Sequence, residues 1–457
     1  MDDKSIIFKE GMSSEEIDKE IEEIEAAETR EKASKSEIHA TLIEFVEAIQ
    51  RGIGLEVTDS DWEVELKKFF GVDETMLVSI ETDFPLYQQA QACYAINKFL
   101  ILKTEIKKTI DFSGEYYSAP QYQEIEVERN KTIPLLARAW VFTTWKKTHL
   151  AVHIMFDGNY SNFRILGHTK DNKTIHEFST KVKLWMRKHD FYKGERLEIL
   201  PHGALSFLEY RNVKWDAVIL PEDLKSEIVL NIIFPFNNEK LCVKHGIPWR
   251  RGVLLAGVAG TGKTQLCRVL CNTLGKDVTI LWVTPKALHD VDKVRLVFEA
   301  ARYFSPSLLV IEDIDFIGKS RDYVSDPVVG ELLTQLDGSA SNHGVFVLAT
   351  TNRPELLDKA LIERPSRFDV KLIFEVPDME HRLKLINLFA VGKKFRGVNY
   401  EEIAQITHGF TGAYIQEVLT YGALMSLHEK KTAIERSHID KAIKTIKGKF
   451  KKNKMVA

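Results

Sequence analysis

Eight residues constrain this chain more than any others. Gly257-Val258-Ala259-Gly260-Thr261-Gly262-Lys263-Thr264 fits the pattern G-x-x-x-x-G-K-[ST]. Such a loop has meaning only between a strand and a helix, and both flanks supply one. Val253, Leu254, Leu255 and Ala256 read as a short buried strand. Leu266, Val269, Leu270 and Leu274 then recur at helical spacing, and Gly275 is placed to end that helix. Glycines let backbone N–H groups converge on phosphate oxygens, and the helix N-terminus adds partial positive charge. Lys263 is the cation for the β- and γ-phosphates, and the Thr264 hydroxyl is a Mg²⁺ ligand. The backbone from Gly257 to Gln265 completes the candidate nucleotide contacts. The fold class that follows is α/β, with a parallel sheet carrying the loop.

A nucleotide cradle needs carboxylates, and they follow in order. Leu308 to Ile311 is an apolar run ending in Glu312-Asp313, then Ile314-Asp315. A buried strand of a parallel sheet delivers its C-terminal carboxylates beside the phosphate loop. One can serve Mg²⁺ and the other can orient the attacking water. Taken alone, this is a solvated acidic turn; its place downstream of Lys263 gives it a role. Val345 to Leu348 form another apolar strand, followed by Ala349-Thr350-Thr351-Asn352-Arg353-Pro354. Asn352 can hydrogen-bond the γ-phosphate or the lytic water. Then come Glu363-Arg364-Pro365-Ser366-Arg367-Phe368-Asp369. Arg364 and Arg367 can reach a phosphate in a neighbouring subunit. Without the preceding motifs they read as two salt-bridged surface arginines.

Residues 214 to 430 resemble an AAA-family ATPase module. Leu332-Leu333-Thr334-Gln335-Leu336-Asp337-Gly338 is similar to the run before the sensor strand in proteasomal and membrane-protease ATPases. Gly409-Phe410-Thr411-Gly412-Ala413 resembles the family's G-F-[ST]-G-A run in the helical lid. The resemblance implies that Gly412 and Ala413 help hold nucleotide through backbone. His245 to Gly252 resembles the entry to the phosphate loop in the mitochondrial Rieske-protein translocase group. The resemblance implies an AAA+ domain with a C-terminal helical lid, Mg²⁺ and ATP as cofactors, and a homo-oligomeric ring, hexameric or heptameric.

Three departures carry information. The family's Asp-Glu pair is reversed as Glu312-Asp313, as in the translocase group. The resemblance assigns Glu312 to Mg²⁺ and Asp313 to the water. Two loop prolines are replaced by Val258 and Ala259, neither of which needs a side-chain contact. Threading members carry an aromatic–aliphatic–Gly loop after the second strand. Here only Thr284 to Asp292 separates the strand Val278 to Val283 from a helix at Lys293 to Phe304, with no aromatic residue.

Composition sets outer bounds. A length of 457 residues suggests two to four domains of roughly 100–200 residues. A net charge of −3 provides no bulk attraction to nucleic acid. Cys93, Cys242, Cys267 and Cys271 lack metal-ligand spacing and read as small buried thiols, which suits a reducing cytoplasm. The acidic start Met1-Asp2-Asp3 is unlike a signal peptide. No apolar run reaches the ~20 residues of a membrane span. His176-Glu177 is followed by Phe178-Ser179-Thr180, so these 457 residues contain no H-E-x-x-H zinc-protease motif.

The expected domains are an acidic helical or partly disordered segment at 1–35, an α+β region at 36–128, a β-rich domain at 129–213, the α/β ATPase domain at 214–376 and the helical lid at 377–457. Ile17, Ile21 and Ile24 share a helical face in the first; Leu42, Phe45, Val46 and Ile49 do so in the second. Within 129–213, strands are expected at 137–144, 150–156, 163–166, 195–200 and 204–210. Trp140, Trp145, Phe156, Tyr160, Trp185, Phe191 and Tyr192 read as core and hairpin pairs. The tail carries Lys444, Lys447, Lys449, Lys451, Lys452 and Lys454. The functional expectation is a ring-forming ATPase that remodels or moves a protein partner through its N-terminal region. The alternatives are a nucleic-acid-associated ATPase using the β-rich region and basic tail, and a nucleotide-gated assembly scaffold.

Overall fold

A computed structural model describes residues 62–456 except 114–115, 158–160, 210–212, 318–326, 339–341 and 358–366. The 1–35 segment, the apolar face from Leu42 to Ile49, Tyr160 and Arg364 lie outside the described residues. The chain divides into two units: Met1–Asp83 with Ala92–Lys188, and Phe84–Gln91 with His189–Ala457.

The first unit contains helix α1 (Trp62–Phe70), strand β1 (Leu77–Asp83), helix α2 (Gln89–Lys103), strands β2 (Glu105–Ser113), β3 (Tyr116–Ser118), β4 (Gln121–Glu128), β5 (Lys131–Trp145), β6 (Thr148–Phe156) and β7 (Ser161–His168), and helix α3 (Asn172–Lys188). The strands form one antiparallel sheet in the order β1-β7-β6-β5-β2-β3, with β4 also on β5. Strand β5 has its odd-numbered residues from Ile133 to Trp145 buried. That period of two turns one face toward the helices. There Phe99, Trp145 and Phe178 pack edge to face or tilted, with centroids 5.1–6.3 Å apart. The expected boundary at 128/129 falls inside the β4–β5 hairpin, whose strands pair from Gln121↔Arg138 to Glu128↔Lys131. Residues on both sides of it therefore share one sheet. Strands β1, β2 and β4 carry too many charges to stand out from the sequence.

On the opposite face Trp140, His153, Arg164 and Glu81 lie in register across β5, β6, β7 and β1. His153 stacks on Trp140 at 4.5 Å, and Arg164 pairs with Glu81 at 2.8 Å. Burial, then Arg164 and Arg138, push the His153 imidazole down to about 4. The unfolded chain therefore binds a proton here that the folded chain refuses. Stability should fall as pH drops from the ordinary histidine value of ~6.5 toward 4, by on the order of 2 kcal/mol. Thermal melts across that window should show a steeper loss for the native chain than for His153→Gln.

The second unit begins with strands β8 (Arg196–Ile199) and β9 (Leu205–Phe207). Helix α4 (Glu222–Ile228) runs into a π-helical turn at Val229–Ile233, then α5 (Phe234–Asn237) and α6 (Glu239–Lys244). Strand β10 (Arg251–Ala256) leads through the glycine loop into α7 (Lys263–Thr273). Then follow β11 (Thr279–Val283), α8 (Val291–Tyr303), β12 (Ser307–Ile311), α9 (Pro327–Asp337), β13 (Val345–Thr351) and β14 (Val370–Ile373). The lid holds α10 (Met379–Ala390), β15 (Phe395–Arg396), α11 (Tyr400–Ile406), α12 (Gly412–His428), β16 (Ile434–Glu435) and α13 (Arg436–Val456).

The sheet order is β14-β10-β13-β12-β11-β8-β9. Every pair is parallel except β8 with β9. Strands β11, β12 and β13 are buried along their whole length, as a sheet covered on both faces requires. This sheet recruits residues expected in the β-rich domain, because β8 pairs with β11 from Arg196↔Ile280 to Ile199↔Val283.

Arg196 explains how that edge is held. Its guanidinium is buried and donates to the carbonyls of Cys271 at 2.9 Å, Leu274 at 2.6 Å and Gly194 at 2.5 Å. Helix C-termini leave carbonyls without intrahelical donors, so one side chain ties the end of α7 to the added strand. Removing the donors strands buried acceptors at ~1–3 kcal/mol each. Arg196→Met should therefore lower unfolding free energy by about 2–4 kcal/mol in chemical denaturation.

Candidate functional site

The glycine loop, the ends of β12 and β13, and the lid enclose one cavity of about 1470 Å³. Its walls include Ala259 to Gln265 from the loop, Asp313, Asn352, and Gly412 and Ala413 from α12. Glycine is required where the loop passes other backbone. At Gly257 a Cβ would lie 2.2 Å from the Phe374 carbonyl oxygen, and at Gly260 it would lie 2.7 Å from the Ala413 Cβ, both with positive φ. The first amides of α7 lack intrahelical acceptors by helix geometry and open toward the cavity.

Lys263 is 5 % exposed. Its ammonium donates to the carbonyls of Gly257 at 2.6 Å and Val258 at 3.0 Å. Burial lowers its pKa, while Asp313 and Asp315 oppose the shift. Asp313 follows β12 with φ 47°. Its N–H donates to the Thr350 hydroxyl at 3.0 Å, and its carboxylate accepts from Asn352 Nδ2 at 2.7 Å. Burial and then Asp315 raise its pKa, against the pull of Lys263. A left-handed residue at a strand end, fixed from β13, is strain that tertiary contacts must hold. Asp315 is buried and accepts from the Thr351 hydroxyl at 2.9 Å and the Asn352 N–H at 3.1 Å. It locks β12 to β13 rather than facing the cavity.

The adjacent carboxylates separate. Asp313 faces the cavity with Asn352 and Lys263. Glu312 is not among the lining residues; its charge bears on Cys267, one turn beyond Thr264 on α7. Burial first, then Glu312, holds that thiol well above the usual range. Cys267 and Cys271 are both fully buried.

Residues 253–376 match the family model described as "ATPase family associated with various cellular activities (AAA)", and residues 397–441 match that of the AAA+ lid domain. The chain carries an AAA+ ATPase module. Among curated relatives, the "ATP-dependent zinc metalloprotease FtsH" of Ureaplasma parvum serovar 3 is 33% identical over 247 residues, covering 51% of this chain and 34% of the relative. The FtsH of Acholeplasma laidlawii is 32% identical over 248 residues, covering 51% and 38%. The chloroplastic "ATP-dependent zinc metalloprotease FTSH 1" of Oryza sativa subsp. japonica is 35% identical over 224 residues, covering 45% and 32%. The chain thus spans about a third of the length of these relatives.

Arg367 is held within its own chain. It is 7 % exposed, and its guanidinium forks onto Asp337 of the same chain at 3.0 and 2.9 Å. A bidentate pair with its guanidinium buried holds an arginine inward, so Arg367 braces the end of α9 against the turn before β14. Arg364 lies outside the described residues.

The module's cavity also uses residues that the sequence did not single out. Val218, Ile219 and Leu220 line it ahead of α4, and Arg268, His381 and Gln416 line it from α7, α10 and α12. The apolar triplet before Pro221 was the available signal; the others become neighbours only when the lid folds over. Between β11 and α8, Pro285–Leu288 forms a 3₁₀ turn with Ala287 and Leu288 buried, and Asp290 caps α8 by accepting from the Lys293 N–H at 2.8 Å. That connection is a packed turn with no projecting aromatic. No described helix is long and apolar enough to cross a membrane.

Proposed function

We propose that this chain hydrolyses Mg²⁺-ATP as a ring of identical subunits and uses the energy to remodel or move a protein partner. The observation that carries this reading is the convergence of Lys263, Asp313 and Asn352 on the cavity closed by the lid. The donor set fits the cofactors: a buried cation and a helix N-terminus for phosphates and the Thr264 hydroxyl for Mg²⁺, with Glu312, which does not line the cavity, serving the ion through a bridging water. Asp313 orients the attacking water, and Asn352 fixes that carboxylate. Arg364 is the residue we assign to a neighbouring subunit's phosphate.

A protein partner is favoured because the relatives are named as ATP-dependent proteases. These 457 residues hold no H-E-x-x-H motif, so any proteolysis would come from elsewhere. The packed 284–290 turn argues against threading through aromatic loops at that position.

The nucleotide assignment is tested by equilibrium titration with a fluorescent ATP analogue. Losing the Lys263 ammonium removes a charge-assisted hydrogen bond of ~1.5–3 kcal/mol, so Lys263→Ala should bind about 10- to 10²-fold more weakly. Native-like affinity in that variant would remove the basis of the reading.

A further inference from the structure

Thr411 is the N-cap of α12 yet does not cap it. Threonine at this position ordinarily accepts from an amide of the first turn. Here the residue is 4 % exposed, its hydroxyl makes no capping bond, and Oγ1 is buried with no hydrogen-bond partner. It lies instead against the glycine loop: a Cβ built on Gly260 would be 2.8 Å from Thr411 Oγ1 and 2.7 Å from the Ala413 Cβ. Two residues on from Thr411, the Ala413 N–H donates to the Gly260 carbonyl at 3.2 Å. Gly412 is less constrained, since a Cβ there would meet the same oxygen at 3.4 Å, an ordinary contact. The lid helix therefore touches the phosphate loop directly, backbone to backbone. The missing Cβ of Gly260 and the small Ala413 methyl permit the approach.

Both partners are rigidly backed. Ile415, Val418 and Leu419 fix α12 in the lid core with Ile386, Ile403 and Ile439. Leu266, Val269 and Leu270 fix α7 against the sheet. A shift of the loop at Gly260 is thus a shift of the lid.

We propose that Gly260, Thr411 and Ala413 form a latch that positions the lid on the phosphate loop and makes lid closure read the loop's conformation. This rests on the nucleotide reading above. Lys263 now donates to Gly257 and Val258 carbonyls of the same loop. A phosphate that draws the ammonium away frees those carbonyls, and the nearer of them, Val258, lies two residues before the Gly260 carbonyl to which the lid is hydrogen-bonded. Packed elements with two discrete arrangements transmit such shifts. Gly260, Thr411 and Ala413 are positioning residues, acting on bound nucleotide through the placement of the lid.

The test uses the full chain and four variants. In Gly260→Ala the new methyl meets the Ala413 Cβ, and the positive φ adds backbone strain. Ala413→Gly removes the colliding methyl but leaves that strain, so Gly260→Ala/Ala413→Gly separates the two. Thr411→Val removes the hydroxyl at nearly constant volume. Hydrogen exchange of the Ala413 amide in nucleotide-free protein reads the latch without any activity. It should quicken at least tenfold in Gly260→Ala and return toward native in the double variant, while Leu419 exchange stays constant. Release of fluorescent ADP should follow the same order: faster by about tenfold in Gly260→Ala, partly rescued in the double variant, and altered in Thr411→Val at unchanged melting temperature. Additive effects in the double variant, or an Ala413 amide that exchanges freely in the native chain, would overturn the latch. A protected amide with the expected non-additivity, in a protein that binds no nucleotide, would retain the contact as a lid dock and overturn its coupling to the site.

Discussion

Arg364→Ala is expected to bind ATP with near-native affinity and to hydrolyse it about 10³-fold or more slowly. An arginine supplied across a subunit boundary offsets charge that develops on the transferring phosphoryl group and is typically worth about 10³–10⁵ in rate. The paired variant Arg367→Ala should behave differently. Its buried guanidinium is committed to the half-buried Asp337 inside its own chain, so its loss removes a bidentate brace and should lower the melting temperature before it lowers turnover per folded ring. Steady-state ATPase assays beside thermal melts separate the two arginines. A folded Arg367→Ala that is catalytically dead, with Arg364→Ala fully active, would reverse the assignment.

The second large effect concerns the reversed carboxylates. Asp313→Asn should keep ATP binding and cut turnover by about 10²-fold or more, the usual range for losing a positioned general base. Asn352 donates to the Asp313 carboxylate, so Asn352→Asp is expected to depress turnover as well by setting two carboxylates together. Glu312→Gln should instead make affinity and rate more sensitive to Mg²⁺ concentration. The opposite pair of phenotypes would exchange the roles of Glu312 and Asp313.

The phosphate loop and its flanking strands were legible because their signals are local. Val253 to Ala256, Leu308 to Ile311 and Val345 to Leu348 are unbroken apolar runs, and a strand buried on both faces needs nothing else. Asp313 and Asn352 were legible as strand-end residues, but their hydrogen bond was not, since it depends on β12 and β13 being neighbours. The pairing of Arg367 with Asp337 was not legible, because the two lie far apart in sequence and no local pattern announces the pair. The first unit was harder for another reason. Strand β4, Gln-Tyr-Gln-Glu-Ile-Glu-Val-Glu, alternates with few apolar residues, and α3 spreads its five buried residues through a charged helix. Arg196 shows the limit most clearly. In sequence it is one cation between Glu195 and Leu197; in the fold it closes the end of α7 and ties it to the added strand β8.

If the nucleotide site is completed by a neighbouring copy, mixing two inactive variants should restore hydrolysis. Lys263→Ala lacks the phosphate cation but keeps Arg364; Arg364→Ala lacks the arginine but keeps the loop. In a mixed ring an intact loop can face an intact arginine. At fixed total protein, ATP hydrolysis by the mixture should exceed the sum of the two variants alone, and the native chain's specific activity should rise with concentration. A mixture that never exceeds that sum, together with native turnover that does not change on dilution, would contradict the shared site.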